Sequence, residues 1–337
     1  MAANGSNGVH ISATRPLTPG IYAPIPTFFI PDSEDLDIPS LEAHVVRVAI
    51  AGVGPLITGS MGEAIHLSHT ERMRVVKAAR DALDTAGFTQ VPVIVGTGAG
   101  STRETVELTN EAAAAGADYS IVIASGYYAG AYGNNPKALK AFWTEVAAKS
   151  PIPVMIYNYP GASGGIDLDS DLITELAEDC GNVGKLTRIA ASVSGPEFPL
   201  NHPRKNAAAP FLVLGGFTDF IVPSFYADGH GAITGLANVA PHAIAKLWSV
   251  TVASKQDLSL LPEALRLQGI IAQADFTIAK ASIAGTKFLI EKLYGYGGVP
   301  RKPLPPMEAS AAQDLWDHPH TQDLVRLERE IRGKAKA

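Results

Sequence analysis

A chain of 337 residues, 46% apolar and 18% charged with a formal charge of −6, can bury the core of one large α/β barrel or of two medium domains. It has no basic run or stripe to neutralise phosphates, which argues against a nucleic acid or an anionic membrane as partner and leaves small-molecule chemistry. The single cysteine, Cys180, excludes an internal disulfide and a thiolate metal site and fits a reducing compartment, the cytoplasm.

The opening "MAANGSNGVHISATRPLTPG" lacks the apolar core of a secretory signal, and residues 1–18 read as a flexible N-terminal segment. No apolar run approaches the roughly 18 residues of a membrane span. From Gly20 onward strand-like and helix-like segments alternate. "IYAPIPTFF" (21–29) precedes "PSLEAHVVRVAIAG" (39–52), where Leu41, Val45, Val48 and Ala49 recur at helical spacing. "GVGPLITGS" (52–60) precedes a charged helix (68–87) with Ser68 as its cap and Gly87 as its stop. The same alternation pairs 91–98 with 101–116, 117–125 with 135–150, and 152–160 with 167–180. After residue 210, "PFLVLGGF" (210–217) leads to a helix from Thr218, and "GAITGLAN" (231–238) to a helix over 241–254.

Continuous apolar strands separated by helices specify a parallel sheet. Seven strand–helix units are plain, and an eighth is required between residues 160 and 210 if the sheet closes as a (β/α)8 TIM barrel. The barrel is assigned to residues 19–254 and a C-terminal helical extension to 255–337, whose apolar faces must pack on the barrel or on another subunit.

Reactive groups in such barrels sit where strands end. "TGSMGEAIHLS" follows the second strand; its glycines let backbone approach a ligand, and Ser60 with neighbouring amides can hold a carboxylate. "GYYAG" follows the fourth strand, "YNYPG" the fifth and "LGGF" the seventh. Each alone is also what a tight turn or a packed tyrosine looks like. Taken in order, "GSMGE", "GYY", "IYNYPG", "GAITGLANVAP" and "YGYGGVPRKPLPP" resemble the dihydrodipicolinate synthase and N-acetylneuraminate lyase family over roughly residues 20–330. "NVGKLTRIA", "HPRKN", "FLVLGG" and "AKASIAGTKFLIEKLYGYGG" are similar to the fungal branch that cleaves 2-keto-3-deoxy-L-galactonate in D-galacturonate catabolism.

The resemblance implies a class I, metal-free and cofactor-free aldolase yielding pyruvate and an aldehyde such as L-glyceraldehyde. A lysine amine attacks the keto carbon, and the resulting Schiff base draws electrons as a carbon–carbon bond breaks. The amine must be neutral to attack, so burial has to lower its pKa from about 10.4. By motif, Tyr157 matches the proton-shuttle tyrosine, and Ser60 and Met61 the pair that receives the pyruvate carboxylate. Met61 departs from the hydroxyl or amide usual there. Tyr127 or Tyr128 matches the tyrosine that reaches into a neighbouring subunit, while Gly215, Gly216 and Ile233 line up with residues around the keto acid. The family implies a homotetramer built from dimers.

Lys185 is the candidate nucleophile, and its stretch, "EDCGNVGKLTRIAAS" (178–192), reads two ways. Counted forward from Tyr157, Val183–Leu186 is a short sixth strand ending near a reactive amine. Counted backward from "LTRIAAS", the phrase begins a helix and the sixth strand is short or missing, since "GNVGKL" offers only Val183 and Leu186 as strand formers. The second reading implies a catalytically impaired barrel of the same family. Within the enzyme class, 4-hydroxy-2-oxoglutarate aldolase and dihydrodipicolinate synthase are the alternatives. His66 and His69 lack a third ligand in view and read as helix-entry residues, and "GTGAGS" (96–101) reads as a barrel loop with Ser101 as a cap rather than a phosphate cradle.

Overall fold

The computed structural model describes residues 15–179, 186–191 and 211–335. Eight parallel strands alternate with helices in chain order: β1 (Gly20–Pro24), α1 (Ile38–Ile50), β2 (Gly54–Ile57), α2 (His69–Thr85), β3 (Ile94–Gly96), α3 (Thr102–Ala114), β4 (Tyr119–Ile123), α4 (Ala129–Tyr132), α5 (Pro136–Lys149), β5 (Val154–Asn158), α6 (Ser170–Asp179), β6 (Leu186–Ala191), β7 (Leu212–Leu214), α7 (Ile221–Tyr226), β8 (Gly231–Ile233) and α8 (Pro241–Ala253). The strands pair in the order β7-β6-β5-β4-β3-β2-β1-β8. Gly215 closes the ring against β8: it bridges Ala232, its N–H donates to Gly231 O at 2.9 Å, and its carbonyl accepts from Ile233 N at 2.8 Å. The architecture is the (β/α)8 barrel.

Strict alternation along short strands builds two concentric cores. Tyr22, Leu56, Ile94, Tyr119, Ile121, Met155, Leu214 and Ile233 fill the interior. Their chain neighbours, such as Ile21, Ala23, Ile57 and Val95, point outward under the helices. The helices start where local chemistry starts them. Ser68 and Glu71 form a reciprocal capping box for α2, Ser101 accepts from Glu104 N to begin α3, and Asn135 caps α5 with Pro136 behind it.

The sixth strand departs from the expectation that it is short or missing. Leu186–Ala191 is a six-residue strand, longer than β3, β7 or β8, and it pairs with β5 on one side and β7 on the other. "LTRIAA", which reads as the opening of a helix, is extended instead. Without it β5 and β7 would each carry an unpaired edge, and satisfying two rows of backbone groups outweighs the modest helix preference of one short segment. The price is irregularity, a register shift opposite Val154 and Met155.

Four more helices follow: α9 (Leu261–Ala279), α10 (Ser282–Tyr294), α11 (Ala309–Asp317) and α12 (Pro319–Ala335). Between α9 and α10 the chain turns at Ser282, which has φ +51°. Ala264, Leu267, Ile271, Ala274 and Ile278 form the buried stripe of α9; fully burying a leucine or isoleucine contributes about 1.5–3 kcal/mol. Glu328 of α12 caps α8, accepting from Ala243 N at 2.8 Å and pairing with His242. No helix among the described residues is long and apolar enough to cross a membrane.

Candidate active site

The carboxyl ends of the strands share one mouth, where βα loops collect the groups of a site. On β5 the alternation that sends Val154 and Ile156 outward turns Met155 and Tyr157 inward, so Tyr157 packs on the interior cluster that Ile233 also lines. Tyr159 stacks on Tyr157 with ring centres 5.6 Å apart and planes 22° from parallel. Burial pushes the Tyr157 phenol up to about 12; the nearby Ser60 side chain pulls the other way and Tyr159 adds to the rise. The phenol is therefore neutral at ordinary pH. Asn158 secures the loop beyond, donating to Asp167 at 2.8 Å and accepting from Leu168 N at 3.0 Å.

The β2 loop brings Ser60 to this phenol. It is held in an unusual shape: Thr58 and Glu63, at either end of Gly59–Gly62, both adopt left-handed backbone, φ +50° and +53°. Such conformations cost of order 1–3 kcal/mol each for residues with a Cβ and persist only where surrounding contacts enforce them. Thr58 is tied by its hydroxyl, which donates to Gly96 O at 3.0 Å. Gly96 is glycine by necessity, because a Cβ there would lie 2.1 Å from the Thr58 carbonyl oxygen. Gly62 also lies close to the backbone just beyond β1, with a would-be Cβ 2.9 Å from Ile25 O, and accepts from the Thr27 hydroxyl at 2.7 Å. Ser60 is exposed and Met61 partly buried, its methyl against Gly235.

Gly215 and Gly216 follow β7, and the next residues are fixed from outside the barrel. Thr218 donates from its N–H (2.7 Å) and its hydroxyl (2.5 Å) to the buried Asp275 of α9. Gln268 accepts from Val222 N and donates to Thr218 O, each at 2.8 Å. Burial raises Asp275 to about 6, against the lowering effect of the Thr218 bonds.

Ser60, Tyr157 and Ile233 thus share the barrel mouth, with Gly215, just after β7, bridging to β8. Tyr127 and Tyr128, 88% and 66% exposed, project to solvent packed edge-to-face on each other. Lys185 lies outside the described residues. β6 sets Ala190 beside Tyr157 and Ala191 beside Asn158, and no residue of that strand is a lysine. His66 turns to Glu63 at 3.2 Å and His69 to Glu111 at 2.8 Å. Residue types alone did not point to Tyr159, Asp275 or the buried Glu63–Lys287 ion pair; the one readable signal was a lysine inside the apolar "GTKFLI".

Comparison with other proteins agrees with this geometry. Residues 26–317 match the dihydrodipicolinate synthetase family. The chain is 41% identical over 335 residues to L-threo-3-deoxy-hexylosonate aldolase of Aspergillus niger, covering 94% of this chain and 98% of that one. It is 42% identical over 299 residues to the enzyme of the same name from Hypocrea jecorina, covering 86% and 91%. Among solved structures, YagE from Escherichia coli K12, in complex with pyruvate, superposes with a TM-score of 0.76 at 27% identity, covering 93% of this chain and 99% of that one. With a closed eight-stranded barrel, a tyrosine on β5 against a serine of the β2 loop, and a family match over most of its length, this chain belongs to the dihydrodipicolinate synthetase family.

Proposed function

We propose that this protein is a class I aldolase that cleaves a 2-keto-3-deoxy sugar acid, 2-keto-3-deoxy-L-galactonate, to pyruvate and L-glyceraldehyde. The observation that carries the reading is the Ser60–Tyr157 contact at the barrel mouth, in a chain 41% identical to a 3-deoxy-hexylosonate aldolase over nearly its whole length. In the proposed sequence the Lys185 amine adds to the C2 ketone of the substrate, and the carbinolamine takes the Tyr157 phenol proton as it loses water, leaving a protonated Schiff base beside a Tyr157 phenolate that can accept the next proton. The C3–C4 electron pair moves toward the iminium as the C4 hydroxyl gives up its proton through Tyr157, releasing the aldehyde. Tyr157 returns that proton to C3 of the enamine, and water then frees pyruvate and the amine. A neutral phenol suits this role, because the iminium formed nearby stabilises the phenolate only at the step that needs a base. Ser60 and the amides of the β2 loop receive the carboxylate.

Tyr127 and Tyr128, too exposed to serve their own chain, fit the interface of a dimer within a cytoplasmic homotetramer. Release of pyruvate from 2-keto-3-deoxy-L-galactonate, compared with 4-hydroxy-2-oxoglutarate, tests the substrate; turnover of the second alone would overturn it. One observation favours a second reading, a family barrel without the Schiff base: the residue of β6 beside Tyr157 is Ala190. In that case neither keto acid is cleaved.

A further inference from the structure

Glu63 and Lys287 are 224 residues apart in sequence and both side chains are fully buried, with the Lys287 amine 2.5 Å from a Glu63 carboxylate oxygen. The other Glu63 oxygen accepts from Arg301 N at 2.8 Å and faces His66 Nδ1 at 3.2 Å. Lys287 spends a second proton on Val299 O at 3.1 Å, and its ammonium lies 4.5 Å from the centre of the Phe29 ring, which the Arg301 guanidinium also covers at 4.3 Å. Arg301 continues to Glu71 at the start of α2, at 2.7 Å. Glu63 is also the left-handed residue that ends the Gly59–Gly62 loop, and its own N–H donates to Ser60 O at 3.1 Å.

We infer that Glu63 and Lys287 are positioning residues: the C-terminal extension, through this ion pair and the Arg301 amide, holds the β2 loop in the shape that receives the substrate carboxylate. Removing the charges frees residue 63 to leave the left-handed region, and the amides of the loop, with the Ser60 hydroxyl, then lose their common aim. Neither residue touches substrate, so the loss falls on binding.

The inference rests on the aldolase reading for its kinetic arm, and a second arm stands without it. Removing one charge leaves the other buried and unpaired, so the decisive variant is the double change Glu63→Gln with Lys287→Met. It is expected to melt as one cooperative unit, to show KM for the keto acid raised by roughly tenfold with kcat within about threefold of the parent, and to exchange amide hydrogens faster in the 58–67 peptide than in the barrel strands. Lys287→Arg, which keeps the charge, is expected to retain most of the parent KM. An unchanged KM and unchanged 58–67 exchange in the folded double variant would overturn the inference. If the parent protein cleaves no keto acid, the aldolase reading fails and the exchange of 58–67 alone decides the brace.

Discussion

Tyr157 and Ala190 are partners across the β5–β6 ladder. The relationship fixes the register position at which a sixth-strand nucleophile would stand level with Tyr157, and the residue at that position is an alanine. Schiff-base chemistry in this chain therefore depends on a lysine from outside the β6 segment Leu186–Ala191; the aldolase reading assigns it to Lys185, yet Leu186, the next residue, pairs with Val154 at the amino end of β5, three residues before Tyr157, and this register favours the second reading.

Tyr157→Phe removes the proton relay and leaves the ring, its stacking on Tyr159 and the interior packing in place. Loss of a positioned acid–base group lowers kcat by about 10²–10⁴-fold, with KM changed little. Steady-state kinetics on the sugar acid reads the split; an unchanged kcat would remove Tyr157 from the mechanism.

Ser60→Ala deletes one hydroxyl that meets both the phenol and the proposed carboxylate site. A neutral hydrogen bond contributes about 0.5–1.5 kcal/mol net, so a combined loss in kcat/KM of about tenfold is expected, well short of the Tyr157→Phe effect. A loss as large as that of Tyr157→Phe would place Ser60 in the chemistry itself.

Asp275 gives the fold a pH signature. Its carboxyl is raised by burial to about 6 from 3.8, so the folded state holds a proton that the unfolded chain releases earlier. Stability from this group is present below pH about 4 and is lost as pH rises to about 6, by up to about 3 kcal/mol at 1.36 kcal/mol per unit. Asp275→Asn keeps an acceptor for Thr218 and removes the titration. Urea midpoints of variant and parent should therefore diverge in the variant's favour between pH 4 and 7. A constant difference across that range would contradict the assignment.

Tyr127→Ala with Tyr128→Ala removes an exposed aromatic pair that serves no packing role within one chain. Sedimentation equilibrium is expected to show weaker self-association of the variant with an unaltered fold. Equal association of variant and parent would exclude this face as the interface.

Seven of the eight strand–helix units are legible because buried parallel strands are continuous apolar runs and their helices carry caps such as Ser68 and Ser101. Tyr157, Ser60 and Ile233 could be picked out as strand-end positions through the family motifs they match, and the structure sets Tyr157 and Ile233 on one interior cluster. β6 was not. "LTRIAA" has no strong local preference, and its extended form is imposed by the two open edges of β5 and β7. The Glu63–Lys287 pair was hidden for a different reason: a partner 224 residues away is chosen by tertiary packing, and only the improbability of an unpaired lysine among Phe288, Leu289 and Ile290 marks it in advance. Asp275 and Thr218 belong to the same class of long-range contact.

The central claim is a covalent bond between a lysine of this chain and a keto acid. Borohydride reduction in the presence of pyruvate, followed by peptide mapping by mass spectrometry, tests it directly. The account predicts one reduced pyruvate adduct per chain, on Lys185, with loss of activity in proportion to its formation. Recovery of the protein without an adduct, or with the adduct on a different lysine, would contradict it.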